Sequence, residues 1–430
     1  MPRRPASASI ERHPPRGGGA LVPKRAASVK PRSHNRSTDN SFCQFGSAHC
    51  GLQRIACIST SRADAGIYRP LLGALADQSD WQVSCLAGGT HLSEAFGHTI
   101  DELVPTNRVE LTPVSHFVSG DRALDVAETS GRAVIEFSKA LAAARPDLVF
   151  VLGDRTEMLA AALAAVIHGI PIAHLHGGER TAGAYDDNCR HAITKLAHVH
   201  FAALPEYAAR IASMGEEDWR IHTVGAPALD DLVHFEPLPV GQLSAAVGLD
   251  FSRPTWVIAF YPETLSADSP AAQVEMLLAA LYAADANLLI LGTNADIGYK
   301  TFSEAYQAFV DQRSNVKLMA SLSKQWFWSC LAHAQMLIGN SSAGIIEAAS
   351  FKLPVVNIGD RQAGRIRPSN VIDTPCDTEK IAGAVGRATS SAFRHTLEQL
   401  TNPYGNGQAA SGIVAALRSF PNQKTLLQKA

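Results

Sequence analysis

The chain has 430 residues, of which 46% are hydrophobic and 18% charged, with a formal net charge of −2. That length is too great for one ordinary hydrophobic core and predicts two domains, while the near balance of charge gives no global reason to expect nucleic acid as a partner. No apolar run reaches the roughly 18 residues of a spanning helix, and no compact hydrophobic leader precedes a cleavage site, so a soluble chain without a membrane partner is expected.

Residues 1–50 carry nine Lys/Arg against two acidic residues and six prolines. Such a segment cannot bury enough apolar surface to order itself, which predicts a disordered basic tail. An organellar leader is an alternative, against which the prolines stand, and an anion-binding segment is another. The seven cysteines, at 43, 50, 57, 85, 189, 330 and 376, form no CxxC pair and no compact framework. A reducing, cytoplasmic setting is the simpler expectation.

From Arg54 the pattern becomes strand, loop, helix. Short β-rich runs fall at 54–60, 81–86, 147–152, 171–175, 198–203 and 220–224, with helical stretches such as 155–168 between several of them. A second series falls at 255–260, 287–291, 315–319, 334–338 and 353–358. This alternation predicts two doubly wound parallel sheets, each covered by helices on both faces. The expected domains are 51–235 and 236–400, joined through the Pro-containing stretch 231–254 and followed by a C-terminal helix and tail at 401–430. Ligands of such sheets sit beyond the carboxyl ends of the strands, so strand-end residues from both halves should meet in one cleft.

The motifs fall at those ends. Gly153-Asp154-Arg155 follows the apolar run 147–152; Asp154 either projects into the cleft or caps the next helix. His174-Leu175-His176-Gly177-Gly178-Glu179 follows the next run, and Asp186-Asp187 opens a helix carrying Arg190, His191 and Lys195. Positions 187, 191 and 195 share one helix face. These carboxylates and histidines make a candidate acid/base constellation, with a zinc site through H-x-H and a satisfied polar layer as competing readings. The second H-x-H pair, His198 and His200, alternates within an apolar strand and is expected to be structural.

In the second half, the run 334–338 leads into Gly339-Asn340-Ser341-Ser342-Ala343-Gly344-Ile345-Ile346-Glu347. Exposed N–H groups and two hydroxyls at a helix start suit a phosphate, and Glu347, a turn further on, can accept from ribose hydroxyls. The plain alternative is that Ser342 only caps the helix. Arg361, in Gly359-Asp360-Arg361-Gln362, offers fixed donors to the same anion. Gly292-Thr293-Asn294-Ala295-Asp296 and Ser61-Arg62-Ala63-Asp64 end two further strands. No GxGxxG or GxxxxGK[ST] loop is present, which removes the usual support for nicotinamide or ATP chemistry and leaves no cofactor expected.

Taken in order, SRAD, GDRTEML, HLHGGE, DDxxRHAITKLAH, GTNAD, GNSSAGIIEA and NIGDRQxGR resemble the hydrolysing UDP-N-acetylglucosamine 2-epimerases of bacterial sialic acid pathways, from about Arg54 to the NPYGNG segment at 402–407. The resemblance implies two Rossmann-like domains of the glycosyltransferase-B type, a sugar/catalytic half at 51–235 and a UDP-binding half at 236–400, with the C-terminal helix crossing back to the first. It implies anti elimination of UDP to a glycal, then water addition, giving N-acetylmannosamine and UDP. The catalytic residues it implies are Asp154, His176, Glu179, Asp186 and Asp187. UDP and substrate contacts are implied for Arg62, Asp64, Arg155, His191, Tyr261, Asn294, Ser341, Ser342, Glu347 and Arg361, with no metal and with a homo-oligomer, dimer or tetramer, as the assembly. Two positions depart from the pattern. Some relatives have a catalytic Glu where His176 stands, so the base is His176 or Glu179, and Tyr261 replaces a His associated with the phosphates. A UDP-linked diacetamido sugar is an alternative substrate, a glycosyltransferase of the same architecture an alternative activity, and a silent UDP-sugar sensor a third.

Overall fold

The computed structural model describes residues 52–104 and 106–429, so the expected basic tail at 1–50 lies outside the described residues. Two wholly parallel sheets organise the rest. The first contains β1 (Arg54–Ser59), β2 (Gln82–Gly88), β3 (Val109–Val114), β4 (Leu148–Leu152), β5 (Ile172–Leu175), β6 (Val199–Ala202) and β7 (Ile221–Thr223), in the order β3-β2-β1-β4-β5-β6-β7. The second contains β8 (Thr255–Ala259), β9 (Asn287–Leu291), β10 (Val316–Met319), β11 (Met336–Gly339), β12 (Val355–Ile358) and β13 (Val371–Thr374), in the order β10-β9-β8-β11-β12-β13.

Both orders reverse direction from a central strand, β1 or β8, which is the doubly wound arrangement expected from the alternating sequence. Every run read as a strand forms one. Central strands are apolar throughout because helices cover both faces; all five residues of β4 are buried, and so are all five of β8. Strand β3 and strand β13 were not anticipated. Each is an edge strand with partly exposed positions, and Pro113 within β3 is tolerated at an edge because only one side of the strand needs a full ladder.

The C-terminal helix Ala409–Ser419 places Ala410, Ile413 and Leu417 in the core around the first sheet. Its start is capped from afar, Ala409 N donating to Asp230 Oδ1 at 2.9 Å. Beyond it, the buried Arg220 guanidinium donates to the carbonyls of His198 and Leu426 at 3.0 and 2.9 Å. Among the described residues, no helix is long and apolar enough to cross a membrane.

The segments that follow β1, β4, β5, β8, β9, β11 and β12 at their carboxyl ends line one cavity of about 420 Å³, within the range of small-molecule sites. Gly339 makes the turn out of β11 possible. At its φ of +138 a Cβ would lie 2.1 Å from the Ala259 carbonyl oxygen, a conformation and a closeness that only glycine accepts.

Candidate active site

Asp154 stands immediately beyond β4. The N-cap position of the helix Thr156–Ile167 is Arg155, not Asp154, and no side chain caps that helix. The Asp154 carboxylate instead faces the cavity wall, paired with the buried guanidinium of Arg190 and 3.4 Å from the Thr181 hydroxyl. Burial pushes its pKa up, but the charges of Arg190, Arg365, Arg155 and Arg361 outweigh burial and hold the carboxyl below its ordinary value. Asp154 is therefore an anion at neutral pH.

His176 occupies the left-handed region at φ +59, unusual for a residue with a Cβ and the kind of strain that gathers at functional sites. Arg190 pins the turn by donating to the His176 carbonyl at 2.9 Å. The ring Nδ1 lies 2.6 Å from Glu179 Oε1, and Nε2 has no protein partner. Burial pushes the Glu179 pKa up, yet Arg365 and His176 reverse that and hold Glu179 far below the usual carboxylate range. An ionised carboxylate only accepts hydrogen bonds, so the proton of a neutral ring sits on Nδ1 and the lone pair on Nε2. The HGGE motif thus sets a histidine with a free ring nitrogen against the buried acid that orients it. Glu179 itself is fully buried behind the cavity wall.

Asp186 lies in the first turn of the helix Asp186–Leu196 and lines the same cavity. Burial, with the charges of Asp154 and Asp296, pushes its pKa up to about 7, against Arg155 and Arg361. Two neighbouring carboxyls whose titrations are driven apart are the arrangement that supplies one anion and one proton donor near neutrality. The other acid of the pair, Asp187, turns away. Its Oδ1 accepts from Thr181 N at 2.7 Å, Oδ2 lies 3.6 Å from His191 Nε2, and neither residue lines the cavity. Lys195, on the same helix face, bonds Glu216 at 2.6 Å, outside the cavity. The shared face thus serves loop positioning and packing.

His174 is also structural: Nε2 lies 2.8 Å from the Gly153 carbonyl and Nδ1 3.2 Å from the Thr194 hydroxyl. Burial drives its pKa down to about 3, so it donates to Gly153 as a neutral ring. His200 contacts Glu216 at 3.1 Å and His198 Nδ1 accepts from Ile172 N at 3.1 Å. Among the described residues, no three His, Cys, Asp or Glu side chains are grouped to hold a metal ion.

The second half contributes the opposite wall. Ser341 rather than Ser342 is the N-cap of the short helix Ser342–Ile346, its Oγ accepting from Ala343 N at 3.3 Å, and both serines line the cavity. Arg361 sits 5.5 Å over the Tyr261 ring and 3.6 Å from Asp296. It brings to Tyr261 the positive charge that tyrosine lacks, and burial keeps the Tyr261 hydroxyl protonated. Glu347 Oε1 accepts from the Trp328 indole at 2.7 Å, Asn294 completes this wall, and Arg155 joins the cavity lining from the first half. Arg62 bridges the halves, donating to Ser321 Oγ at 2.7 Å. Asp64 lines the cavity, but its Oδ2 accepts from the N–H groups of Thr60 and Ser61 at 2.7 and 2.9 Å, so it organises its own loop.

Twelve of the residues singled out in the sequence thus converge, while Glu179, Asp187 and His191 lie behind the wall. Arg190, Asp296 and Arg365 were given no role in the site from the sequence, although all three act on the converging acids Asp154 or Asp186. The DDxxRH and NIGDRQxGR motifs contain the two arginines and GTNAD the aspartate.

The UDP-N-acetylglucosamine 2-epimerase family model matches residues 73–418. The chain is 32% identical over 378 residues to the UDP-N,N'-diacetylbacillosamine 2-epimerase (hydrolyzing) of Legionella pneumophila, covering 88% of this chain and 99% of that one. It is 28% identical over 339 residues to the UDP-N-acetylglucosamine 2-epimerase of Neisseria meningitidis, covering 79% and 88%. The crystal structure of a Neisseria meningitidis UDP-GlcNAc 2-epimerase bound to UDP-GlcNAc superposes with a TM-score of 0.73 at 16% identity, over 86% of this chain and 100% of that one; it shows a shared glycosyltransferase-B-like fold. With a family match across most of its length, the chain belongs to the UDP-N-acetylglucosamine 2-epimerase family.

Proposed function

We propose that the protein is a hydrolysing 2-epimerase of a UDP-linked 2-acetamido sugar. The observation that carries this reading is His176, held through Nδ1 by the buried Glu179 and with Nε2 unpartnered, in one cavity with Asp154, Asp186, the Ser341-Ser342 loop and Arg361. In the first step His176 Nε2 takes the C2 proton, the C1–O bond to UDP breaks, and the electron pair forms the C1=C2 bond of a glycal. UDP departs as the anion against Arg361 and the serine loop. Water then adds its oxygen to C1 while protonated Asp186 gives its proton to C2 on the opposite face, with Asp154 as the charge that stabilises the developing cation; the proton that water loses restores Asp186, and the proton held on His176 leaves to solvent. The products are UDP and the free 2-epimer.

The greater identity to the Legionella enzyme named for a diacetamido sugar favours a substrate with acetamido groups at two ring positions; UDP-N-acetylglucosamine, the sugar of the Neisseria relative's name, is the second reading. A homo-oligomer belongs to the same proposal, since Ile135, Leu163, Val166 and Ile167 leave exposed apolar groups on two helices of the sugar half; light scattering measures it. Incubation of each UDP-sugar alone in heavy water, followed by NMR, tests the chemistry. UDP and a free 2-epimer carrying deuterium at C2 are expected. Release of UDP only when an acceptor is added would make the protein a transferase, and binding without turnover would make it a sensor.

A further inference from the structure

Arg365 belongs to the nucleotide half, in the loop beyond β12, yet its side chain is only 8% exposed and its Nη2 lies 2.7 Å from Glu179 Oε2 in the sugar half. The N–H does not point along a hydrogen-bond direction to that oxygen, so the contact is mainly one of charge. Its Nη1 donates to Gln362 Oε1 at 2.8 Å. Gln362 donates in turn to the Asn340 carbonyl at 2.8 Å, and the Asn340 amide exchanges two 2.9 Å bonds with the Tyr261 backbone. Asn340 is the residue before Ser341. A buried polar chain therefore runs from the serine loop through Gln362, Arg365 and Glu179 to His176.

The loops that hold this chain also meet backbone to backbone, Ala182 N donating to the Ala363 carbonyl and Gly183 N to the Asp360 carbonyl, both at 3.0 Å. A carboxylate buried against an imidazole, with no other cation, favours the protonated ring, which cannot act as a base. A guanidinium on the far oxygen cancels that charge. The other groups facing the dyad are Arg190, bonded to the His176 carbonyl, Asp154 in the same cavity, His174, kept neutral by burial, Arg210 on the Gly178 carbonyl, and Tyr207 and Tyr404, both held neutral by burial. None of these contacts Glu179 as an ion pair.

We propose that Arg365 is a positioning residue that arms the His176 base from the nucleotide half, so that proton abstraction is available only when the two halves are closed on each other. This rests on His176 being the base. Turnover of Arg365→Met, Arg365→Lys and the double variant Glu179→Gln/Arg365→Met would be followed against pH, with UDP affinity measured by calorimetry. In Arg365→Met, turnover should fall about 10²-fold with UDP affinity within about threefold, and the acidic limb of the pH profile should move to higher pH because the ring keeps its proton. Arg365→Lys, which retains the charge, should recover most of the rate. In the double variant the loss should be close to that of Glu179→Gln alone, since the two residues act as a unit.

An unshifted pH profile, or costs of the two substitutions that simply add, overturns the proposal. If Arg365→Met does not fold, the double variant, which removes both buried charges, and Arg365→Lys still decide it. Deuterium at C2 from the wild-type enzyme alongside an unshifted Arg365→Met profile removes only this proposal, whereas wild-type protein that releases no UDP from either sugar removes the functional reading with it.

Discussion

The buried Arg190 guanidinium holds Asp154 through one nitrogen and the His176 carbonyl, at 2.9 Å, through another. One side chain thereby sets the position of the cavity's anion and the strained turn at His176. The pair lies largely out of water, Arg190 being 1% and Asp154 25% exposed at the side chain. Replacing Arg190 by Met leaves a carboxylate without its partner, a change that costs ~3–5 kcal/mol for a fully buried pair; Asp154's partial exposure places the expected loss of urea-unfolding stability at the lower end. Turnover should fall with it, and Arg190→Lys, which cannot serve two acceptors in a fork, should rescue stability better than rate.

Asp186 supplies a signed pH dependence. Its carboxyl is raised from the ordinary range to about 7, so between these limits the folded protein binds a proton that the unfolded chain has lost. Its contribution to stability is fully present below about pH 4 and lost as pH rises through about 7. Asn has no such titration. The difference in melting temperature between Asp186→Asn and wild type should therefore swing in favour of the variant from pH 4 to pH 8. Because Asp154 and Glu179 titrate in the opposite sense, that difference, rather than either curve alone, is the quantity to measure. In its proposed role of proton donor, Asp186 should also set the alkaline limb of turnover, and a limb unchanged in Asp186→Asn removes it from that role.

On the nucleotide wall, Arg361 is the cation that stacks on Tyr261. Arg361→Ala should weaken UDP binding by ~1.5–3 kcal/mol, the worth of a charge-assisted hydrogen bond. Tyr261→Phe removes only a neutral hydroxyl and should cost less. Calorimetry with UDP separates the two, and equal losses would assign the phosphate contact to tyrosine rather than arginine.

The apolar runs of the central strands announced both sheets, because strands buried on two faces cannot hide their composition. Strands β3 and β13 stayed invisible for the converse reason: sequences such as VELTPV and VIDT, exposed at several positions of a sheet edge, need no continuous apolar run. Asp154 was ambiguous between cap and site, and only the position of the helix start, at Arg155, separates the two. Arg365 was the hardest to read. Its partner Glu179 is remote in sequence, and a long-range ion pair leaves no local periodicity. Asp187 misled because a helix of 3.6 residues per turn sends adjacent acids in different directions.

Gly183 carries the last prediction. A Cβ there would lie 2.5 Å from the Asp360 carbonyl carbon and 2.6 Å from Arg361 N. Both are backbone atoms, which cannot swing aside as the tip of a flexible side chain can. Gly183→Val should therefore force apart the loops joined by the Gly183–Asp360 and Ala182–Ala363 hydrogen bonds and draw Arg365 away from Glu179. The hydrophobic cores of the two halves lie around their sheets, so the variant should fold and unfold in urea much as the wild type does. The serine loop and Arg361 both belong to one half and should keep UDP affinity within about tenfold, a cost of ~1.4 kcal/mol or less. Turnover, which needs both halves in register, should fall about 10²-fold, the penalty typical of a small misplacement of reacting groups. A Gly183→Val enzyme that turns over at the wild-type rate would mean that closure of these loops plays no part in catalysis.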